Sequence, residues 1–178
     1  MTLRALAVVA AVSTMSPATA AQQTAPAPAA QDAPASALPK AALDALEDHW
    51  KGATVATVDP QAVACQNGGT AAPVVTADFD SDSLSDYAVA VQLPDGIKLA
   101  VLLRRGEEYR VMDLDTLGSG QASGSLGIEK RGTRFLNAAT NTDDFFSSDT
   151  LSVNRCGAQT VVYLWSGSAF RKVPITRK

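Results

Sequence analysis

The chain has 178 residues, with 18 acidic and 15 basic side chains and a net charge of −3. That is enough chain for one domain with a sizeable core, and its acidic balance gives no general attraction for nucleic acid or anionic lipid. The apolar run Ala5 to Met15 falls short of the roughly 20 residues needed to cross a bilayer, so no membrane span is expected.

The first segment reads as an address. Met1-Thr2-Leu3-Arg4 supplies a positive start, Ala5 to Met15 an apolar stretch and Ala18-Thr19-Ala20 an A-x-A cleavage site, the pattern of a secretory leader. Residues 1–20 are therefore expected to be removed, with cleavage after Ala21 as the alternative, and the product to be periplasmic or secreted. Loss of Arg4 takes the net charge from −3 to −4. Residues 21–37 are mostly Ala, Pro, Gln and Ser with a single charge, Asp32. They offer nothing to bury, which predicts a disordered tether. Residues 38–178 remain as one β-rich domain.

Pro39 to Lys51 is the one helical segment, with Leu43, Leu46 and Trp50 read as its packing face and Gly52 as its stop. His49, the chain's single histidine, reads as a helix-surface residue. After Gly52 the period becomes two. Ala53 to Val58 reads as a strand, Val63 to Cys65 as a fragment, Asn67-Gly68-Gly69 as a turn, and Pro73 to Ala77 as a lead into an acidic loop.

Tyr87 to Leu93, Ile97 to Arg104 and Tyr109 to Leu114 then form a meander with turns at Pro94-Asp95-Gly96 and Arg105-Gly106-Glu107. Thr116 to Gly127 is rich in Gly and Ser and reads as a loop. Leu126 to Lys130 and Phe135 to Ala138 are weaker strands around Arg131-Gly132-Thr133. Asn141 to Asp144 is a polar turn, with Asp143, Asp144 and Asp149 read as solvated. Leu151 to Arg155, Thr160 to Trp165 and Ala169 to Ile175 close the chain as hairpin strands. Val161, Tyr163 and Trp165 alternate with Val162 and Leu164, which predicts a central strand covered on both faces. The expected fold is α+β, mainly β: an antiparallel meander sheet, curved or sandwich-like, with one N-terminal helix packed on it. Cys65 and Cys156, an even pair in an exported chain, point to a disulfide. It would close a loop of about 90 residues, for up to ~4 to 5 kcal/mol.

The most informative stretch is Asp78-Phe79-Asp80-Ser81-Asp82-Ser83-Leu84-Ser85-Asp86. Its carboxylates fall at loop positions 1, 3, 5 and 9. Unpaired, they would repel one another as folding drew them together, whereas calcium takes about six to eight oxygens in loose geometry. Asp78, Asp80, Asp82 and Asp86 are the candidate side-chain ligands, and the carbonyl of Leu84 at position 7 is the backbone one. Asp and Ser also favour turns through bonds to nearby backbone N–H groups, so a solvated loop without an ion is the competing reading. The loop is not an EF-hand, which wants Gly at position 6 and Glu at position 12, where this chain has Ser83 and Val89.

The run Ala77 to Val89 instead resembles the D-x-D-x-D-x-x-x-D loop of FG-GAP and VCBS-type repeats. Ser81 and Ser83 stand where those repeats usually carry glycine. The order of acidic loop, hairpin, Gly-rich middle and a C-terminal Tyr/Trp-x-Gly-x-x-Phe hairpin, here Trp165-x-Gly167-x-x-Phe170, resembles small, uncharacterised exported bacterial proteins with a single such loop. The resemblance implies a calcium loop on a β-rich domain and carries no established activity.

No nucleophile and base stand in a catalytic motif, and none of G-x-S-x-G, H-E-x-x-H or the phosphate-binding glycine loops occurs. The expectation is an exported, non-enzymatic calcium-binding domain whose ion is mainly structural. The alternative is a module that binds an envelope protein or a glycan without a metal. Its contacts would be Gly118 to Gly127 and any aromatic left exposed among Tyr87, Trp165 and Phe170.

Overall fold

A computed structural model describes residues 38–58, 72–119, 124–155 and 157–177. The leader, the tether, the Val63 to Cys65 fragment, the Asn67 turn and both cysteines of the expected disulfide lie outside the described residues. Within them the chain is mainly β, in two antiparallel sheets and no closed barrel, with one helix, as expected.

The helix, α1 (Lys40–His49), follows Pro39, whose carbonyl accepts the first amides, from Ala42 at 2.9 Å and Leu43 at 3.1 Å. Gly52, at φ 76°, sits where the chain leaves the helix in a conformation that glycine tolerates best. The packing face differs from the expected one. Leu38, Ala42, Leu46 and Trp50, spaced by four, join the core, while Leu43 is 45% exposed. A four-residue spacing keeps side chains nearly in line along a helix, and Leu43 lies beside that line.

The first sheet contains β1 (Thr54–Val55), β2 (Val74–Ala77), β3 (Asp86–Leu93), β4 (Gly96–Arg105) and β5 (Glu108–Gly118). β3, β4 and β5 are the predicted meander, joined by two tight turns. β1 and β2 both pair with β3, at Val55 opposite Val91 and at Val74 opposite Val89. Of the strand expected over Ala53 to Val58, the ladder with β3 takes Thr54 and Val55, and the Ala56 amide continues it with a bond to the Ala90 carbonyl at 2.8 Å.

The second sheet runs in the order β6 (Gly124–Glu129), β9 (Thr150–Arg155), β10 (Thr160–Trp165), β11 (Phe170–Arg177), β7 (Arg134–Asn137), β8 (Thr142–Phe145). Two expected loops are shorter than their composition suggests. β5 continues to Gly118 and β6 begins at Gly124, because Gly118 pairs with Ile97 and Gly124 with Arg155. Thr142 to Asp144, read as a turn, pairs with Asn137 to Phe135.

Strand alternation sorts the apolar residues into layers. Ala88, Ala90, Ile97, Leu99, Val101 and Leu103 of the first sheet share a core with Leu126, Leu151, Val153 and Tyr163 of the second. On the other face of the first sheet, Val89, Val91, Leu93, Ala100 and Leu102 pack against α1. On the other face of the second, Val162, Val173 and Ile175 meet Phe135 and Phe146, whose rings stack at 4.4 Å. β10 is thus covered on both faces, with Val162 and Tyr163 both buried. Among the described residues no helix is long and apolar enough to cross a membrane.

Candidate metal-binding loop

The acidic loop connects β2 to β3, two neighbouring strands of one sheet, so its ends are fixed by a hydrogen-bonded ladder from Thr76 opposite Tyr87 to Ala77 opposite Asp86. Phe79, at loop position 2, is only 1% exposed and sits in the core between the sheets. Its side chain pins the loop's first half, and the neighbouring Asp80 side chain, only 4% exposed, is held against Arg105. Sequence reading passed over Phe79; its cue was a single large apolar residue inside a polar run.

Asp78, Asp80 and Asp86 each offer a carboxylate oxygen, and these oxygens lie within 4.8 Å of one another. Three aspartates are therefore close enough to hold a metal ion. Asp82 is used differently. Its Oδ1 accepts the Leu84 amide at 2.9 Å, and its Oδ2 pairs with Arg105 at 2.7 Å. Asp78 accepts two amides, Asp82 at 3.1 Å and Ser83 at 3.0 Å, which curls the backbone around its carboxylate. Ser81 and Ser83 have φ of 64° and 69°, a left-handed region that side chains with a Cβ enter at a cost of roughly 1 to 2 kcal/mol. The two serines thus adopt the backbone that the tight turn requires.

Asp86 is fully buried at the start of β3. Its Oδ2 accepts the Phe79 amide at 2.9 Å and its Oδ1 the Arg104 amide at 2.8 Å, which ties the loop to the end of β4. Burial pushes this carboxyl up to about 6, against the pull of the two amides, and the nearby Asp80 and Asp82 charges add to the rise. Arg105, next along, donates to both Asp80 and Asp82. Its hydrogen bond to Asp80 holds the guanidinium above its ordinary value. Sequence reading placed Arg105 in a turn and missed this role, although counting outward from the Asp95 turn sets it opposite the loop.

The other candidates are structural in their surroundings. Tyr87 is half-buried with its ring 5.8 Å from that of Tyr109, and Trp165 and Phe170 pack together at 5.0 Å beside the central core. Among the described residues the exposed large apolar side chains are Leu43 and Phe145. Of the late acids, Asp149 accepts from Lys130 at 2.8 Å and from the Arg131 amide at 3.2 Å, and Asp144 accepts the Phe145 amide at 2.8 Å. His49 is exposed on α1 with its ring edge-on to Trp50.

No known protein family, curated protein or solved structure matches this chain.

Proposed function

We propose that this is an exported, non-enzymatic calcium-binding domain in which the ion is mainly structural, fastening the Asp78 to Asp86 loop to the start of β3. The observation that carries the reading is the convergence of Asp78, Asp80 and Asp86 oxygens within 4.8 Å. An all-oxygen donor set suits a hard cation, and several carboxylates with a backbone carbonyl in one loop suit the higher, looser coordination of calcium better than the strict octahedron of magnesium. Asp82 and the Leu84 carbonyl would complete the set, with Asp82 sharing its charge with Arg105. The left-handed Ser81 and Ser83 support kinship with the FG-GAP and VCBS-type loop. The leader-like residues 1–20 support export to the periplasm or beyond.

A ligand that binds only the folded chain stabilises it by RT ln(1 + [L]/Kd), about 2.7 kcal/mol at a hundredfold excess. Melting in calcium, in magnesium and in EDTA is the test. Calcium should raise the midpoint by several degrees over EDTA and magnesium by less; identical curves at millimolar calcium would end the proposal.

A further inference from the structure

A second polar feature lies away from the acidic loop. A pocket of about 160 Å³ is lined by Asp115 of β5, in the first sheet, and by residues of β9, β10 and β11 in the second. Register explains its make-up. Val153 pairs with Val161, and Tyr163 with Lys172. Side chains alternate along a strand, so Arg155 falls on the same side of β9 as Leu151 and Val153, which belong to the core between the sheets. That face therefore passes from apolar core to a cationic mouth.

The charges in the pocket do not cancel. Asp115 Oδ2 already accepts the Lys172 ammonium at 2.6 Å and the Tyr163 hydroxyl at 2.7 Å. Among the described residues Arg155 pairs with no carboxylate. Two cations against one anion leave a formal charge of +1 over a floor formed by Val153, Val161 and the Tyr163 ring.

We propose that this pocket binds a small organic anion, a carboxylate on a short hydrocarbon stem. The Arg155 guanidinium presents a planar pair of donors matched to a carboxylate, Lys172 adds charge, and the valines take the stem. A cation would meet two like charges, and a neutral molecule would gain no charge-assisted bond from the exposed Arg155. The volume sets the size, since an apolar cavity of about 150 Å³ takes a ligand such as benzene.

Sodium butyrate titrated into the full chain, followed by calorimetry and by backbone amide NMR shifts, is the experiment. Butylammonium chloride and sodium chloride at matched ionic strength are the controls. Butyrate should saturate with a dissociation constant in the millimolar range, with shifts centred on Arg155 and Tyr163. Arg155→Gln should weaken it about tenfold or more, the loss of one charge-assisted pair, with the melting midpoint unchanged. Ala158 lines the same pocket from the turn between β9 and β10, so Ala158→Trp, which adds bulk there without touching a charge, should abolish binding and decides the matter if the first variant folds poorly. No saturation at tens of millimolar butyrate, an equal response to chloride or butylammonium, or full affinity in the variants would overturn the proposal.

Discussion

The Tyr163 hydroxyl donates to Asp115 Oδ2 at 2.7 Å, joining β10 of one sheet to β5 of the other through a phenol that is only 2% exposed. Burial pushes Asp115 up, but the bonds from Lys172, Tyr163 and the Thr116 amide outweigh it and hold the carboxyl below its ordinary value. Burial, with the bond to Asp115, raises the Tyr163 phenol. Both shifts mark a bond between protonated phenol and ionised carboxylate.

The pH behaviour follows from those directions. A depressed carboxylate contributes stability that is complete above the unfolded value of about 3.9 and is lost as pH falls through the lower folded one. The raised phenol contributes below about 10 and is lost as pH rises through its folded value. Tyr163→Phe should therefore cost about 1 to 2 kcal/mol at neutral pH, and the gap between variant and parent should narrow below about pH 4. Urea melts across pH provide the check, and a gap independent of pH would assign the cost to packing.

Asp86 and Asp80 separate the loop's framework from its metal chemistry. Asp86 carries two backbone amides in a buried position, so Asp86→Ala should cost about 2 to 4 kcal/mol even in EDTA, through two orphaned donors. Asp80→Asn weakens a nearly buried charge-assisted bond to Arg105, so it should lower the EDTA melt by about 1 to 3 kcal/mol and also remove most of the calcium-induced rise. Equal calcium shifts in parent and Asp80→Asn would count against Asp80 as a ligand.

Arg105 places a cation on Asp80 and Asp82, where it opposes a divalent ion. Removing that repulsion at a partly exposed site is worth about 1 kcal/mol, roughly fivefold in affinity. Arg105→Gln should thus bind calcium more tightly while melting lower in EDTA, and the gain should shrink in high salt. Calorimetric titration at two ionic strengths measures it.

Gly127 and Ser152 face each other across β6 and β9, and a Cβ on Gly127 would stand 2.8 Å from the Ser152 Oγ. Gly127→Ala should cost about 1 to 3 kcal/mol by overpacking. Ser152 is fully buried and its hydroxyl has no hydrogen-bond partner among the described residues, so Ser152→Ala alone should be neutral or mildly stabilising. It should also recover most of the Gly127→Ala loss. Additive losses in the double-mutant cycle would show that the strain lies elsewhere.

The sequence announces the elements whose pattern is local. Alternation in Thr160 to Trp165 and the Asp95 and Gly106 turns mark the hairpins that form. What stays hidden depends on distant partners. Gly118 and Gly124 look like loop residues until Ile97 and Arg155 pair with them. Thr142 to Asp144 is polar throughout and becomes a strand only against β7. Leu43 and Leu46 are equally apolar, and only the sheet beneath α1 selects the second; Leu46→Ala in a core position should be far costlier than Leu43→Ala. Within the loop the aspartate spacing was legible, whereas Asp82 turning to Arg105 was set by the register of β4 against β3.

β5 has a hydrogen-bonded neighbour on one side only in the strand order of the described residues. An eleven-residue open border of this kind is a template for recruiting another chain. Here Glu108, Arg110, Asp113 and Asp115 stud it with charge, and register shifts at Ile97/Lys98 and Leu99/Ala100 bend it out of line. Those irregularities give the protein a built-in barrier to fibril growth, and straightening them would trade solubility for regularity.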